Sequence, residues 1–240
     1  MTPELLKELA PTGKLRASIN LGNSVLAQGT PEAPRGVSVD LATELARRLG
    51  LPVEFICWPA AKASFDTVNA GKADIGFLAH EPARAAEVEF TAPYVEIEGA
   101  YMVRNESPLK SIDEVDRPGI RICVGPGSAY DLYLTRTLKH AELVRSEIGG
   151  GSSNIQKFLQ DNLEVCANVR QPLEAWAAKD PSVRLLPGRF MVIGQAVALP
   201  KGRPAAAAYI KAFVEEMKAS GFVADGLKRS GQSATVPPVA

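Results

Sequence analysis

The sequence predicts an α/β fold with largely parallel strands, built as two units. Three observations carry this. Short apolar runs alternate with helical periodicity from Lys14 onward. A buried strand running straight into a turn and a helix start occurs twice, in ADIGFLAHEPAR and in IRICVGPGSAY. Late in the chain, Ala205 to Ser220 sets Tyr209, Ile210, Phe213, Val214 and Met217 on one helical face, with Gly221 as its stop. The length of 240 residues allows one large or two small domains, and 46% hydrophobic content is ample for a core.

In chain order, Lys14 to Asn20 reads as a strand. Asp40 to Leu49 reads as a helix with Leu41, Leu45 and Leu49 four apart, capped by Asp40, supported by a Glu44 and Arg48 pair and ended by Gly50. Val53 to Trp58 is the next strand, Ala63 to Ala70 a helix closed by Gly71, and Ala73 to Leu78 the third strand. This is a β-α-β-α-β half. After Tyr94 the pattern is extended from Gly99 to Arg104, and NESPLKSIDEVDRPG then reads as a crossing between domains. Ile120 to Val124 is a strand, Gly125 to Gly127 a turn, and Ser128 to Lys139 a helix opened by Ser128. A helix from Ile155 to Gln160 follows the GGGSSN tract, then a strand near Leu163 to Val169; Phe190 to Leu199 returns the chain to the first lobe, against which the last helix packs. The tail from Gly231 to Ala240 reads as irregular. The lobes are therefore expected at 1–103 with 197–240, and at 104–196.

The stretch Gly71 to Tyr94, GKADIGFLAHEPARAAEVEFTAPY, is the most informative for function. Glu81 and Pro82 supply an N-cap and a first helical residue, so Arg84 lies in the first turn after a buried strand. Amide donors at a helix start and a guanidinium fork together make a receptor for a carboxylate or phosphate. The competing reading is a surface arginine paired with Glu87 or Glu81. A second donor cradle is expected at Gly127, Ser128 and Ala129. Two lobes joined by two crossings form a cleft, and ligands of open α/β sheets collect at the carboxyl ends of strands. The expected binding set is Arg84, the backbone at Ala79, Asn23 and Trp58 on the first lobe, and Gly127, Ser128, Ala129, Asn168 and Arg170 on the second. Trp58 reads equally as a core-edge residue, and Tyr130 as packing within its own lobe.

Composition excludes several classes. Lysine plus arginine and aspartate plus glutamate are 27 each, which gives no electrostatic reason to expect nucleic acid or an anionic membrane as partner. No apolar run approaches the ~20 residues that span a bilayer, and MTPELLKELAPTGK has neither a basic start nor an apolar signal core. Two histidines, His80 and His140, without ligand spacing give no expectation of a metal, and GPGS lacks the lysine of a phosphate loop, so no cofactor is expected. The three cysteines, Cys57, Cys123 and Cys166, lie in apolar contexts and read as buried free thiols.

GKLRASINLGN, RGVSVDLATELARRLGLPVEF and FDTVNAGKADIGFLAHEPARAAEVEFTAPY together resemble the bacterial extracellular solute-binding proteins of family 3, which feed amino-acid ABC transporters. The resemblance implies a two-lobed, type II periplasmic-binding-protein-like fold whose lobes, joined by two crossover segments, close on a ligand. It implies that Arg84 grips the α-carboxylate. It also implies a monomer with an ABC permease as partner if exported, periplasmic if a signal was removed and cytoplasmic if Met1 is the native start. The chain departs from the family's pattern where amino-acid binders carry a serine or threonine pair, here Ala79 and Glu81, and where they carry a lobe-two aspartate, here Val169 beside Arg170. Losing an acid and gaining a base favours a second anionic group, unless Glu81 points inward.

The expected function is thus capture of a small carboxylate-bearing metabolite, an amino acid or an organic acid. A dehydratase-like enzyme resembling cyclohexadienyl dehydratase, with Glu81, Glu164 or His80 as acid–base groups, is the alternative. A sensor module that has kept the receptor and lost transport is a third.

Overall fold

The computed structural model describes residues 2–239 and contains two compact units, Met1–Glu96 with Gly194–Ala240 and Ile97–Ile193. Unit 1 comprises α1 (Pro3–Leu9), β1 (Leu15–Asn20), the hairpin β2 (Gln28–Thr30) and β3 (Ala33–Arg35), α2 (Val37–Leu49), β4 (Val53–Trp58), α3 (Ala61–Asn69), β5 (Ile75–Ala79), α4 (Pro82–Ala85) and β6 (Val88–Phe90). β1 pairs in parallel with β4 on one side, Leu15 opposite Val53 through Asn20 opposite Trp58, and with β5 on the other. β12 (Met191–Pro200) joins β5 antiparallel through Gln195 to Ala198 and also pairs with β6. The unit finishes with α8 (Pro204–Ala219) and α9 (Phe222–Arg229).

Helix α2 shows how local chemistry sets a boundary. Its N-cap is Gly36 at φ 111°, where a Cβ would sit 2.6 Å from the Leu26 carbonyl oxygen, so the position requires glycine. The helix therefore starts three residues before the expected cap; Asp40 lies in its first turn and accepts from Arg229 Nη2 at 2.7 Å. Leu41, Leu45 and Leu49 are buried as their spacing requires, Glu44 accepts from Arg48 at 2.8 Å, and Gly50 ends the helix at φ 66°. The FTAPY segment is structural. Thr91 Oγ1 accepts from the Val197 N–H at 3.1 Å, and fully buried Tyr94 meets Ser38 Oγ of α2 at 3.1 Å and stands edge-on to Phe77. Helix α8 buries Ile210, Phe213, Val214 and Met217 and packs within unit 1 against α1 and α9. The tail is irregular over most of its length but is pinned at Thr235, which exchanges backbone hydrogen bonds of 2.8 and 3.2 Å with Glu96; Ala240 lies outside the described residues.

Unit 2 repeats the construction. β8 (Arg121–Val124) pairs in parallel with β9 (Glu142–Arg145) and β10 (Val165–Val169), and helices α5 (Ala129–Thr137) and α6 (Ser153–Gln160) make the connections. β7 (Val95–Arg104) lies antiparallel to β10 and to β11 (Val183–Leu185), and α7 (Arg170–Ala177) follows β10 directly. Its core gathers Met102, Cys123, Ile155, Phe158, Leu163, Cys166 and Leu173.

The polar stretch 105–119, expected as a crossing, lies wholly inside unit 2 and folds around the 3-10 turn Ile112–Glu114, closed by a Ser111 and Glu114 capping box. The chain passes between units within β7 and β12, strands of 10 residues each. The unit limits accordingly fall at Glu96/Ile97 and Ile193/Gly194, whereas the sequence pointed to 103/104 and 196/197. Cys123 and Cys166 are buried neighbours on β8 and β10, and burial pushes the Cys123 thiol up to about 11. Cys57 is only half-buried, because β4 ends the strand order of unit 1 and every one of its residues is partly covered. No helix among the described residues is long and apolar enough to cross a membrane.

Candidate ligand-binding site

In each unit the first parallel strand is central and the chain crosses to one side and then to the other: order β4-β1-β5 in unit 1 and β9-β8-β10 in unit 2. Such a reversal leaves a crevice beyond the carboxyl ends of the central strand and its neighbour. The residues singled out from the sequence lie at those ends. Asn23 follows β1, Trp58 closes β4, Ala79 closes β5 and Arg84 follows it; Gly127, Ser128 and Ala129 follow β8, Asn168 is the penultimate residue of β10, and Arg170 opens α7 directly after that strand.

Arg84 is 3% exposed, which removes the surface ion-pair reading. Glu87, one of the two acids weighed for it, instead accepts from Asn69 at 2.6 Å. The Arg84 guanidinium donates from Nη1 to the Ala79 carbonyl at 3.3 Å and lies 5.9 Å from the centre of the Phe65 ring. Burial pulls its pKa down to about 10, with Glu81 and then Asp66 acting against the fall. The donor-cradle expectation needs correction here. α4 is a single turn of four residues, Pro82 brings no N–H, and so a helix dipole adds little; the guanidinium itself is the anion-attracting group. Glu81 is 4% exposed and makes no side-chain capping bond, so it lies inward beside Arg84. Asn23 Oδ1 accepts from the Val25 N–H at 3.3 Å, which shapes the loop after β1. Trp58 is partly buried, and its indole Nε1 is buried without an acceptor among the described residues.

The unit 2 cradle is largely satisfied from within. The Gly127 N–H donates to Asp131 Oδ2 at 2.8 Å, and Ser128 Oγ accepts from the Asp131 N–H at 3.1 Å, a reciprocal cap on α5. Asp131 was missed in the sequence, although the Ser128 and Asp131 spacing is the capping-box signal. Arg145 anchors that carboxylate at 2.9 Å. Asn168 is also corrected: it is buried, donates to Asn154 Oδ1 at 3.0 Å and accepts from the Val169 N–H at 2.7 Å, so its amide is held in the unit's interior. Arg170 is bound to Glu98 at 2.6 Å and to the Gly188 carbonyl at 2.6 Å. Its charge is thereby balanced, and the reason to expect a second anionic ligand group beside Val169 falls away. Arg189 also holds Glu98, and together the two guanidiniums keep that carboxyl below its usual range, Arg189 contributing first.

Glu164 precedes β10 at its amino end and is tied to Arg121 by Nε at 2.9 Å and Nη2 at 2.8 Å, while His80 is exposed and stands edge-on to Phe90. No group of three histidine, cysteine, aspartate or glutamate side chains suited to a metal ion occurs among the described residues.

Solved structures share the fold. A putative ABC-transporter binding component from Wolinella succinogenes DSM 1740, complexed with lysine, is 20% identical at a TM-score of 0.77, covering 91% of this chain and 95% of that one. The cysteine-binding protein of Campylobacter jejuni is 17% identical at 0.79, covering 94% and 92%. An ancestral amino-acid-binding protein, described as a precursor of cyclohexadienyl dehydratase, is 20% identical at 0.78, covering 93% and 97%. Comparison with curated proteins by sequence gives no match. The architecture is the type II periplasmic-binding-protein fold, and residues 25–229 match the family model itself: the chain belongs to the bacterial extracellular solute-binding proteins, family 3.

Proposed function

We propose that this protein captures a small carboxylate-bearing metabolite, an amino acid before other organic acids, as the substrate-binding component of an ABC transporter. The observation that carries the reading is Arg84: a guanidinium withdrawn from water, its pKa pulled down to about 10, at the carboxyl end of β5 where ligands of such sheets collect. A desolvated cation attracts a carboxylate more strongly than an exposed one, because little water screens the pair. Asn23 and the Trp58 indole extend the site on unit 1. The lysine and cysteine bound or named in the fold relatives support an amino acid.

The dehydratase-like alternative loses Glu164, whose carboxylate is committed to Arg121. Thermal unfolding in the presence of single amino acids and organic acids tests the proposal. A ligand at ~100 times its dissociation constant stabilises the fold by roughly 2.7 kcal/mol, and Arg84→Ala is expected to abolish that shift. An undiminished shift in a folded Arg84→Ala variant would place the site elsewhere.

A further inference from the structure

The amino ends of the unit 2 strands carry a hollow of their own, at the other end of the sheet from the crevice beyond the carboxyl ends of β8 and β10. The loop after β7, Ile120 just before β8 and the turn leading into β10 surround, with Arg104, a cavity of about 290 Å³. An apolar cavity of about 150 Å³ holds a benzene ring, so this one has room for a ring with a short side chain. Its walls are braced by arginines. Arg184 Nη2 donates to the Ser107 and Leu109 carbonyls at 3.0 and 2.7 Å, and Arg121 Nη2 donates to the Asn162 carbonyl at 2.9 Å. Asn162 is the one non-glycine residue with a positive φ, 52°, among the described residues, and that bond helps to hold it there.

The charges of the lining are not matched within it. Glu164 is tied to Arg121 at 2.8 Å. Arg104 is half-buried and forms no ion pair among the described residues. Its Nη2 donates to the Leu159 carbonyl at 3.0 Å, its guanidinium lies 5.3 Å from the centre of the Phe158 ring, and its Nε is buried without an acceptor among the described residues. A donor withdrawn from water and left unpaired is costly, and an acidic acceptor at the same guanidinium offsets that cost. Asp180, the acid Arg104 acts on at longer range, is lowered first by Ser182, whose hydroxyl donates to it at 2.6 Å, and last by Arg104. Pro108, Leu109, Ile120 and Leu163 supply apolar wall, and exposed Glu106 puts a negative charge at the rim. One cation with acids around it accepts a single negative charge and disfavours two, while the apolar wall favours a hydrocarbon body.

We propose that unit 2 carries a second small-molecule site, at the amino ends of β8 and β10, for a monocarboxylate with a compact apolar body: the carboxylate meets the Arg104 guanidinium, and the body packs on Pro108, Leu109, Ile120 and Leu163. The site lies within a single unit and does not depend on Arg84.

Titration of 3-phenylpropionate into the methyl-labelled chain, followed by NMR, tests it. A dissociation constant of about 0.1–1 mM suits a ligand of about eleven non-hydrogen atoms, with shifts concentrated at the Leu109, Ile120 and Leu163 methyls and retained in Arg84→Ala. The neutral 3-phenylpropionamide is expected to bind at least about tenfold more weakly, Arg104→Gln to weaken the acid by a similar factor, and Glu106→Gln to tighten it about two- to fivefold. Absence of shifts at these methyls up to about 10 mM, equal binding of acid and amide, tighter binding of inorganic phosphate at the same methyls, or shifts that vanish in Arg84→Ala overturns the proposal. Should Arg104→Gln fail to fold, the preference for acid over amide and its rise in Glu106→Gln decide, and a preference that does not rise there overturns the site.

Discussion

Asp74 is fully buried at the amino end of β5, where its carboxylate accepts from the Arg16 backbone N–H and Nε at 3.0 Å each and from Arg16 Nη2 at 2.7 Å. Arg203 Nη1 stands 3.4 Å away. Removing the charge strands two guanidiniums against a neutral amide, so Asp74→Asn is expected to cost about 3 kcal/mol, the lower end for breaking a buried pair because the arginines can reach water. Urea unfolding measures it, and a loss under about 1 kcal/mol would show that the network is dispensable. Neither Asp74 nor Asp131 was legible as a partner in the sequence, since what each meets depends on packing across strands; only the Ser128 to Asp131 spacing was local. Arg84 was legible for the opposite reason. A strand, a proline and an arginine in a short segment fix its place, whereas its burial and its nearness to Glu81 arise from the neighbours around that turn, among them Phe65.

At the scale of elements, strands and helix stops were readable where glycine or alternation marked them, as at Val53–Trp58, which forms as expected, and at Gly50. Starts were not. Gly36 caps α2, but Val37 and Val39 are β-branched and hid the first turn from a propensity reading, so Asp40 looked like the cap. Helix α7 was missed because Arg170-Gln171-Pro172 resembles a loop; Pro172 is the third helical residue, where no intrahelical N–H bond is yet required. Helix α9 was hidden behind Gly221, which ends one helix and opens the next in a left-handed conformation. A methyl group at φ 111° and 2.6 Å from the Leu26 oxygen forces the hairpin and α2 apart, so Gly36→Ala is expected to destabilise by about 1–3 kcal/mol in denaturant titration. A neutral result would mean that the loop at Leu26 yields without cost.

For the whole molecule, the two β-α-β-α-β halves were readable because each is a local alternation; the passage between units was not, because it runs through strands that carry no punctuation. The chain's equal numbers of acids and bases, 27 each, become consequential at low pH, since several carboxylates are held by arginine. Arg47 and then Arg48 hold the Glu44 carboxyl down to about 2 from an ordinary 4.5, and Glu98 and Glu164 are lowered by Arg189 with Arg170 and by Arg121. A carboxyl whose folded pKa lies below its unfolded value binds fewer protons when folded, so its contribution is complete above the unfolded value and is lost as pH falls through the folded one. Stability carried by Glu44 should therefore be intact above about pH 5 and disappear between pH 4.5 and about 2. Denaturant midpoints of the wild type and Glu44→Gln, taken from about pH 6 to about pH 2, isolate it: the wild-type advantage should shrink across that window, and added salt should reduce it because Arg47 is exposed. An advantage that stays constant through the same window would mean that the Glu44 carboxylate gains nothing from its two arginines on folding.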